Sequence, residues 1–146
     1  MIYYKEFDKE LLEKVKEIYR EEGWMAYLGD DEKLAHAFDN SLYILGAFED
    51  EKLIGFIRCV GDGEHILLVQ DLIVDKEHRR QRIGTTLFKM AWDRYADVRM
   101  FHVVTDLYDE VDNKFYQSFC MRKLVEGNMV SYFRATTVYR LTDTEK

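Results

Sequence analysis

The apolar positions of the chain change period several times, and each change marks an element. "IYYKE" (2–6) reads as a first short strand. Over 8–22, Leu11, Leu12, Val15, Ile18 and Tyr19 form the stripe of an amphipathic helix, with Asp8 placed to cap it and Gly23 to end it. The aromatic loop "WMAYLG" follows, and Asp30 or Asp31 caps a second short helix running to about residue 39. Strand-like runs occupy 41–49, 53–60 and 64–74. "EDEK" turns the first into the second. "GDG" (61–63) turns the second into the third, because Asp-Gly supplies the positive φ of a tight turn. The third run, "EHILLVQDLIV", is apolar almost throughout, as in a strand covered on both faces. A helical period resumes over 83–96, with Ile83, Leu87, Met90 and Ala91 on one side and Phe88, Trp92 and Tyr95 beside them. "MFHVVT" (100–105) is a further strand, and 110–119 a helix with Val111, Phe115 and Phe119 on one face. "KLVEG" and "MVSYFR" read as a closing pair of strands. The order is βααβββαβαββ. Strands joined both by hairpins and through helices predict an α/β (α+β) fold, a mixed central sheet of about seven strands flanked by about four helices.

Composition narrows the class of partner. The chain has 146 residues, no proline, no low-complexity tract, no repeat and no linker, so a single domain over 1–146 is expected. No apolar run approaches the roughly 20 residues needed to cross a bilayer. The opening "MIYYKEFDKE" is charged and lacks a signal-peptide core, so no membrane partner is expected. Cys59 and Cys120 are too few for a disulfide framework, which fits a cytoplasmic location. A net charge of −7 argues against nucleic acid and is compatible with cationic small molecules. The histidines show no metal-ligand spacing, so no metal is expected.

Within this acidic chain, "DKEHRRQRIGTTLF" (75–88) concentrates Lys76, His78, Arg79, Arg80 and Arg82 where a strand meets a helix. The first N–H groups of a helix lack internal partners, and the helix dipole adds positive potential there. Such a junction suits an anion. Gly84 permits close backbone approach, Thr85 and Thr86 offer hydroxyls, and the arginines match phosphate geometry. A solvated basic loop is the plainer alternative. The run is neither a P-loop, lacking Gly-Lys-Ser/Thr, nor the dinucleotide fingerprint, lacking two of its three glycines.

"LIVDKEHRRQRIGTTLF" resembles the signature of the GNAT superfamily of acyl-CoA-dependent N-acetyltransferases. That signature is Arg or Gln, two residues, Gly, one residue, then Gly or Ala, after a strand ending apolar–x–apolar. Here the strand end is Leu72-Ile73-Val74 and the signature reads Arg79-Arg80-Gln81-Arg82-Ile83-Gly84. Arg82 replaces the first glycine, and Lys76 stands where proline is frequent. "DNKFYQSFCMRK" (112–123) is similar to the family's segment of an Asn followed by Phe-Tyr-x-x-x-Gly-Phe, with Cys120-Met121 in place of Gly-Phe. The element order matches the GNAT fold over nearly the whole chain. The resemblance implies acetyl-CoA as donor and a primary amine, expected to be that of a small molecule, as acceptor. It implies that backbone N–H groups from about Arg79 to Thr85 hold the pyrophosphate. It implies that Leu72, Ile73 and Val74 hold the pantetheine along a splayed strand edge, with a Val74-side N–H facing the thioester oxygen. Tyr116 matches the general acid. Asn113 matches a pantetheine or diphosphate contact, with helix N-terminal capping as the alternative.

Acyl transfer also needs a proton acceptor. Asp71 lies in an otherwise apolar strand, where a carboxylate is costly unless paired or functional. It could receive the amine's proton directly or through water, bind a cationic substrate or be a buried carboxylate satisfied by backbone donors. Glu64 and His65 fit a hairpin end better, and His102 a sheet position. Cys120 has no His or Asp partner in sequence to activate it as a nucleophile. Trp24, Met25 and Tyr27 lie between the first two helices, which in this family roof the acceptor site. They offer aromatic surface for an amine or ordinary helix packing. A non-catalytic acyl-CoA sensor and a structural or interaction domain are the rival classes. The closing strands and the tail "TTVYRL" (136–141) offer a sheet edge for a homodimer.

Overall fold

A computed structural model describes residues 1–135; "TTVYRL" lies outside the described residues. The chain forms two compact units, Met1–Val104 and Thr105–Lys146.

In the first unit, β1 (Ile2–Glu6), β2 (Tyr43–Glu49), β3 (Lys52–Gly61), β4 (Ile66–Val74) and β5 (Met100–Val103) lie side by side in chain order. The first three pairings are antiparallel, and β4 pairs with β5 in parallel, so the sheet is mixed. Asp8 caps a 3-10 turn that leads into α1 (Leu12–Glu22). Asp30 Oδ1 accepts from Lys33 N at 3.1 Å and starts α2 (Asp31–Asp39). Val15, Ile18 and Tyr19 of α1 and Leu34 and Phe38 of α2 are buried against Ile44, Phe48, Phe56 and Ile73 of the sheet. Burying each such side chain stabilises the fold by about 1.5–3 kcal/mol.

The β3–β4 hairpin closes through Gly61 and Gly63, both at positive φ, while Asp62 Oδ1 accepts from the amides of Glu64, His65 and Ile66. Those donors hold the Asp62 carboxyl down at about 2. Glu64 and His65 are exposed there. α3 (Ile83–Arg94) packs on β2, β3 and β4 through buried Ile83, Leu87, Phe88 and Ala91. Phe88 and Trp92 meet Phe101 of β5 edge-on at 5.8 Å and 5.1 Å. His102 sits in β5 opposite Leu68.

Cys59 and Cys120 are free thiols, the first buried and the second exposed. Burial pushes the Cys59 thiol up to about 12, Asp71 adding and Arg58 opposing. Because the thiolate is the nucleophile, alkylation of the native protein at pH 8 should modify Cys120 alone, and denaturant should release Cys59. Mass spectrometry of the labelled chain checks this. Two labels on the native protein would contradict the burial.

The second unit holds α4 (Glu110–Gln117), capped by Asp109. The expected closing strands do not form among the described residues, which hold five strands, not about seven. Leu124–Gly127 forms a 3-10 turn, and 129–135 has no regular structure. Local bonds, Asn128 N to Val125 O and Met129 N to Leu124 O, satisfy the backbone groups that a ladder would have used. Val125, Val130, Tyr132 and Phe133 are exposed, so no buried face selects strand alternation there. No helix among the described residues is long and apolar enough to cross a membrane.

Candidate active site

Two consecutive polar residues, Gln70 and Asp71, interrupt the apolar run of β4, and the sheet register changes at that point. Arg58 pairs with Asp71, but Cys59 pairs with Val69, which leaves Gln70 without an opposite residue. This is a β-bulge. Residues directly opposite share a face, so the bulge puts Asp71 with Arg58 on the α1–α2 side and Val69 with Cys59 on the other. β5 pairs with β4 only from Ile66 to Val69. Beyond the bulge no strand among the described residues pairs with β4 on that side.

The direction of the free backbone groups follows from one bond. Asp75 N donates to Ile54 O of β3 at 2.7 Å. Backbone polar groups alternate sides along a strand. Ile73 and Asp71 therefore face β3, and Leu72 and Val74 turn theirs to the open edge. The Val74 carbonyl accepts from Arg79 Nε at 3.2 Å on that edge, and its N–H remains.

After β4, Asp75 Oδ1 accepts from Glu77 N and starts a short turn. His78 Nε2 lies 2.9 Å from Glu49 Oε1 of β2. The loop then passes through Arg80 and Arg82 at φ 68° and 61°. Arg82 thus holds the left-handed conformation at the position where the signature has glycine, a conformation that L-residues adopt at a cost. Arg82 provides no side-chain cap for α3, and the first amide with a helical partner is Thr86 N, bonded to Arg82 O at 3.0 Å. The N–H groups of Ile83, Gly84 and Thr85 form the open first turn. A Cβ on Gly84 would meet, outside its own helix, only a Val74 methyl at 3.8 Å. That is ordinary contact, so packing does not require glycine here, and the gap suits a close ligand. Arg79, Arg80, Gln81 and Arg82 are exposed.

Asp71, 1% exposed, is the centre of a buried network. Its Oδ2 accepts from Arg58 Nε at 2.7 Å and Tyr19 Oη at 2.7 Å, and its Oδ1 from Tyr27 Oη at 2.6 Å. Gln70 Nε2 donates to Tyr27 Oη at 3.0 Å, and Arg58 Nη1 to Ser41 Oγ at 3.1 Å. Burial works against the Arg58 charge, yet Asp71 outweighs it and the guanidinium is held above its ordinary range. Burial, then Asp71, push the Tyr19 and Tyr27 phenols up. Tyr19 stacks on Tyr27 at 4.3 Å, with Trp24 at 6.1 Å and 6.5 Å from the two rings. Trp24 and Tyr27 keep part of their surface open, and Met25 is exposed. Arg58 and Tyr19 are members of this network that the sequence does not single out. The rule that drew attention to Asp71, a charge inside an apolar strand, applies equally to Arg58 in "LIGFIRCV".

In the second unit Asn113 Nδ2 donates to Asp106 O and Asp109 O at 2.9 Å and 2.7 Å, which closes the loop before α4. Tyr116 is partly buried beside Phe115 at 5.1 Å. Burial, with Asp112 and Asp109 adding, pushes its phenol up. Cys120, where the family motif has glycine, again takes a left-handed φ, of 64°. Among the described residues, no group of three or more His, Cys, Asp or Glu is arranged to hold a metal.

β4 is thus a bulged strand whose open edge leads into the uncapped start of α3. A family model described as the acetyltransferase (GNAT) family matches residues 9–120, and the chain belongs to that family, as an N-acetyltransferase. Among solved structures, a GNAT-family acetyltransferase from Streptococcus pneumoniae TIGR4 is 30% identical, with 94% of this chain and 98% of that one covered and a TM-score of 0.77. The PaiA N-acetyltransferase from Thermoplasma acidophilum, in complex with coenzyme A, is 23% identical over 82% of this chain and 88% of that one, with a TM-score of 0.67. An aminoglycoside acetyltransferase from an uncultured soil metagenomic sample, in complex with sisomicin, is 20% identical over 92% and 95%, with a TM-score of 0.70. The last two show the shared fold. A search of the curated proteins gave no match.

Proposed function

We propose that the chain transfers the acetyl group of acetyl-CoA to a primary amine of a small molecule. The observation that carries this is the open edge of β4 at Leu72 and Val74, running directly into the uncapped start of α3. Pantetheine amides would pair with that edge as an extra strand does, and the N–H groups from about Arg79 to Thr85 would hold the pyrophosphate. The neutral amine attacks the thioester carbonyl carbon, the nitrogen gives up its extra proton to solvent water, the C–S bond breaks, and the thiolate takes up a proton. Val74 N–H receives the developing oxyanion. Tyr116 supplies the proton, a role supported by its place in "KFYQSF" and by a phenol that stays protonated. Of the roles open to Asp71 we propose that of a positioning residue, supported by its three donors. It fixes Tyr27, and with it the aromatic turn whose open surface at Trp24 and Tyr27 would receive the acceptor. The family match runs across Val104 without a break, which supports a single acetyltransferase domain over 1–146. Two free thiols support a cytoplasmic location.

Calorimetry with acetyl-CoA tests the donor site. Binding should weaken as salt rises. Gly84→Val should weaken it about tenfold or more by blocking close approach. Arg82→Ala should cost no more than about fivefold, the range of an exposed charge contact. Both variants should melt within a few degrees of the parent. The reverse order of losses would contradict the loop geometry.

A further inference from the structure

Arg79 opens the signature of the basic loop, where a cation beside the coenzyme's phosphates is the simple expectation. Its side chain is engaged otherwise. Nε donates to the Val74 carbonyl at 3.2 Å, and Nη2 donates to Glu22 Oε1 in an ion pair. Nε–H and Nη2–H lie on one edge of the guanidinium, the edge that makes paired bonds to a phosphate or carboxylate. Here that edge joins the last residue of β4 to the last residue of α1. The aromatic turn bearing Trp24 and Tyr27 begins immediately after Glu22 and Gly23. Arg80 and Arg82, in contrast, are exposed and make no ion pair among the described residues. Both take left-handed φ values, which non-glycine residues keep only where their surroundings hold them. A loop turned twice in this way needs an anchor, and Arg79 lies immediately before the first of those turns.

We propose that Arg79 is a positioning residue and that its side chain is not a phosphate ligand. With Glu22 it clamps the end of β4 to the end of α1. It covers the Val74 carbonyl, leaves the Val74 N–H for the donor, and holds the loop in its binding conformation. Arg80 and Arg82 are the cations that face the phosphates. The effect on binding rests on the acetyl-CoA reading above, whereas the clamp itself does not.

The test uses the full chain with Glu22→Gln, Arg79→Gln, Arg79→Lys and the double variant Glu22→Gln/Arg79→Gln. Acetyl-CoA affinity is measured at two salt concentrations, and amide exchange over 79–85 is measured without ligand. Lysine keeps the charge but cannot supply the paired donors, so all three single variants should weaken binding by a similar factor, about three- to fivefold. The double variant should be no worse than a single one, because one clamp is lost in each. The salt dependence should match the parent's, and the amides should exchange faster in every variant. The proposal is overturned if Arg79→Lys binds like the parent while Arg79→Gln binds weakly with a flatter salt dependence, for then Arg79 is a phosphate ligand. It is also overturned if Glu22→Gln binds more tightly, for then Glu22 only competes with the anion. A parent chain that does not bind acetyl-CoA refutes the donor-site reading instead. The clamp is then decided by exchange alone, and unchanged exchange in Glu22→Gln and Arg79→Gln would refute it.

Discussion

Tyr116→Phe should lower kcat by about 10²–10⁴, the usual contribution of a positioned general acid. Acetyl-CoA affinity should change little, because the ring and its contact with Phe115 remain. The sign of the pH dependence follows from the environment. Burial, with Asp112 and Asp109, raises the phenol above its ordinary 10, so the acid form persists through the neutral range. The parent enzyme should then show no alkaline loss attributable to Tyr116 below about pH 10. Steady-state kinetics of parent and variant from pH 6 to pH 10 check both points. A fully active Tyr116→Phe enzyme would remove Tyr116 from the mechanism.

The second large effect is on stability. Asp71→Ala removes the anion that faces Arg58 inside the fold. Breaking a buried ion pair from one side costs about 3–5 kcal/mol, because the remaining charge is uncompensated. Tyr19 and Tyr27 also lose their acceptor. Against a total stability of about 5–15 kcal/mol this is a large share. At about 2–4 °C per kcal/mol, Tm should fall by roughly 6–20 °C. Removing both charges, as in Arg58→Met/Asp71→Leu, should recover part of the loss. Calorimetric melting distinguishes this from a role as base. If Asp71→Asn kept the parent's Tm and lost activity most strongly at low pH, Asp71 would be taking the amine's proton, contrary to the positioning role.

What was legible in advance follows from what is local. The helical stripe of α1, the Asp30 cap and the "GDG" turn are short-range signals, and each produced its element. The basic loop was legible because its cations interrupt an acidic chain. The Asp71 network was only half legible. Its charge was conspicuous in β4, but its partners arrive through sheet register and through helices 52 and 44 residues away in sequence. The bulge had a faint signal in adjacent Gln70 and Asp71, and its consequence, the face change and the open edge, appears only once β3 and β5 are paired. The closing strands failed for the opposite reason. "KLVEG" has the β-prone pair Leu124-Val125, but Gly127 and Asn128 let it close as a turn whose bonds are all local. The Glu22–Arg79 clamp was invisible, since one glutamate among the acidic residues of α1 carries no mark of its partner.

The central claim, acetyl transfer from acetyl-CoA to a primary amine, is most directly tested by thiol release. Purified protein is given acetyl-CoA and a panel of primary amines, including aminoglycosides and arylalkylamines, and free coenzyme A is followed with a thiol reagent. Release should depend on both the protein and an amine, with an equal amount of N-acetylated product by mass spectrometry. Tight acetyl-CoA binding with no amine-dependent release across the panel would contradict it and favour a non-catalytic sensor on the same fold.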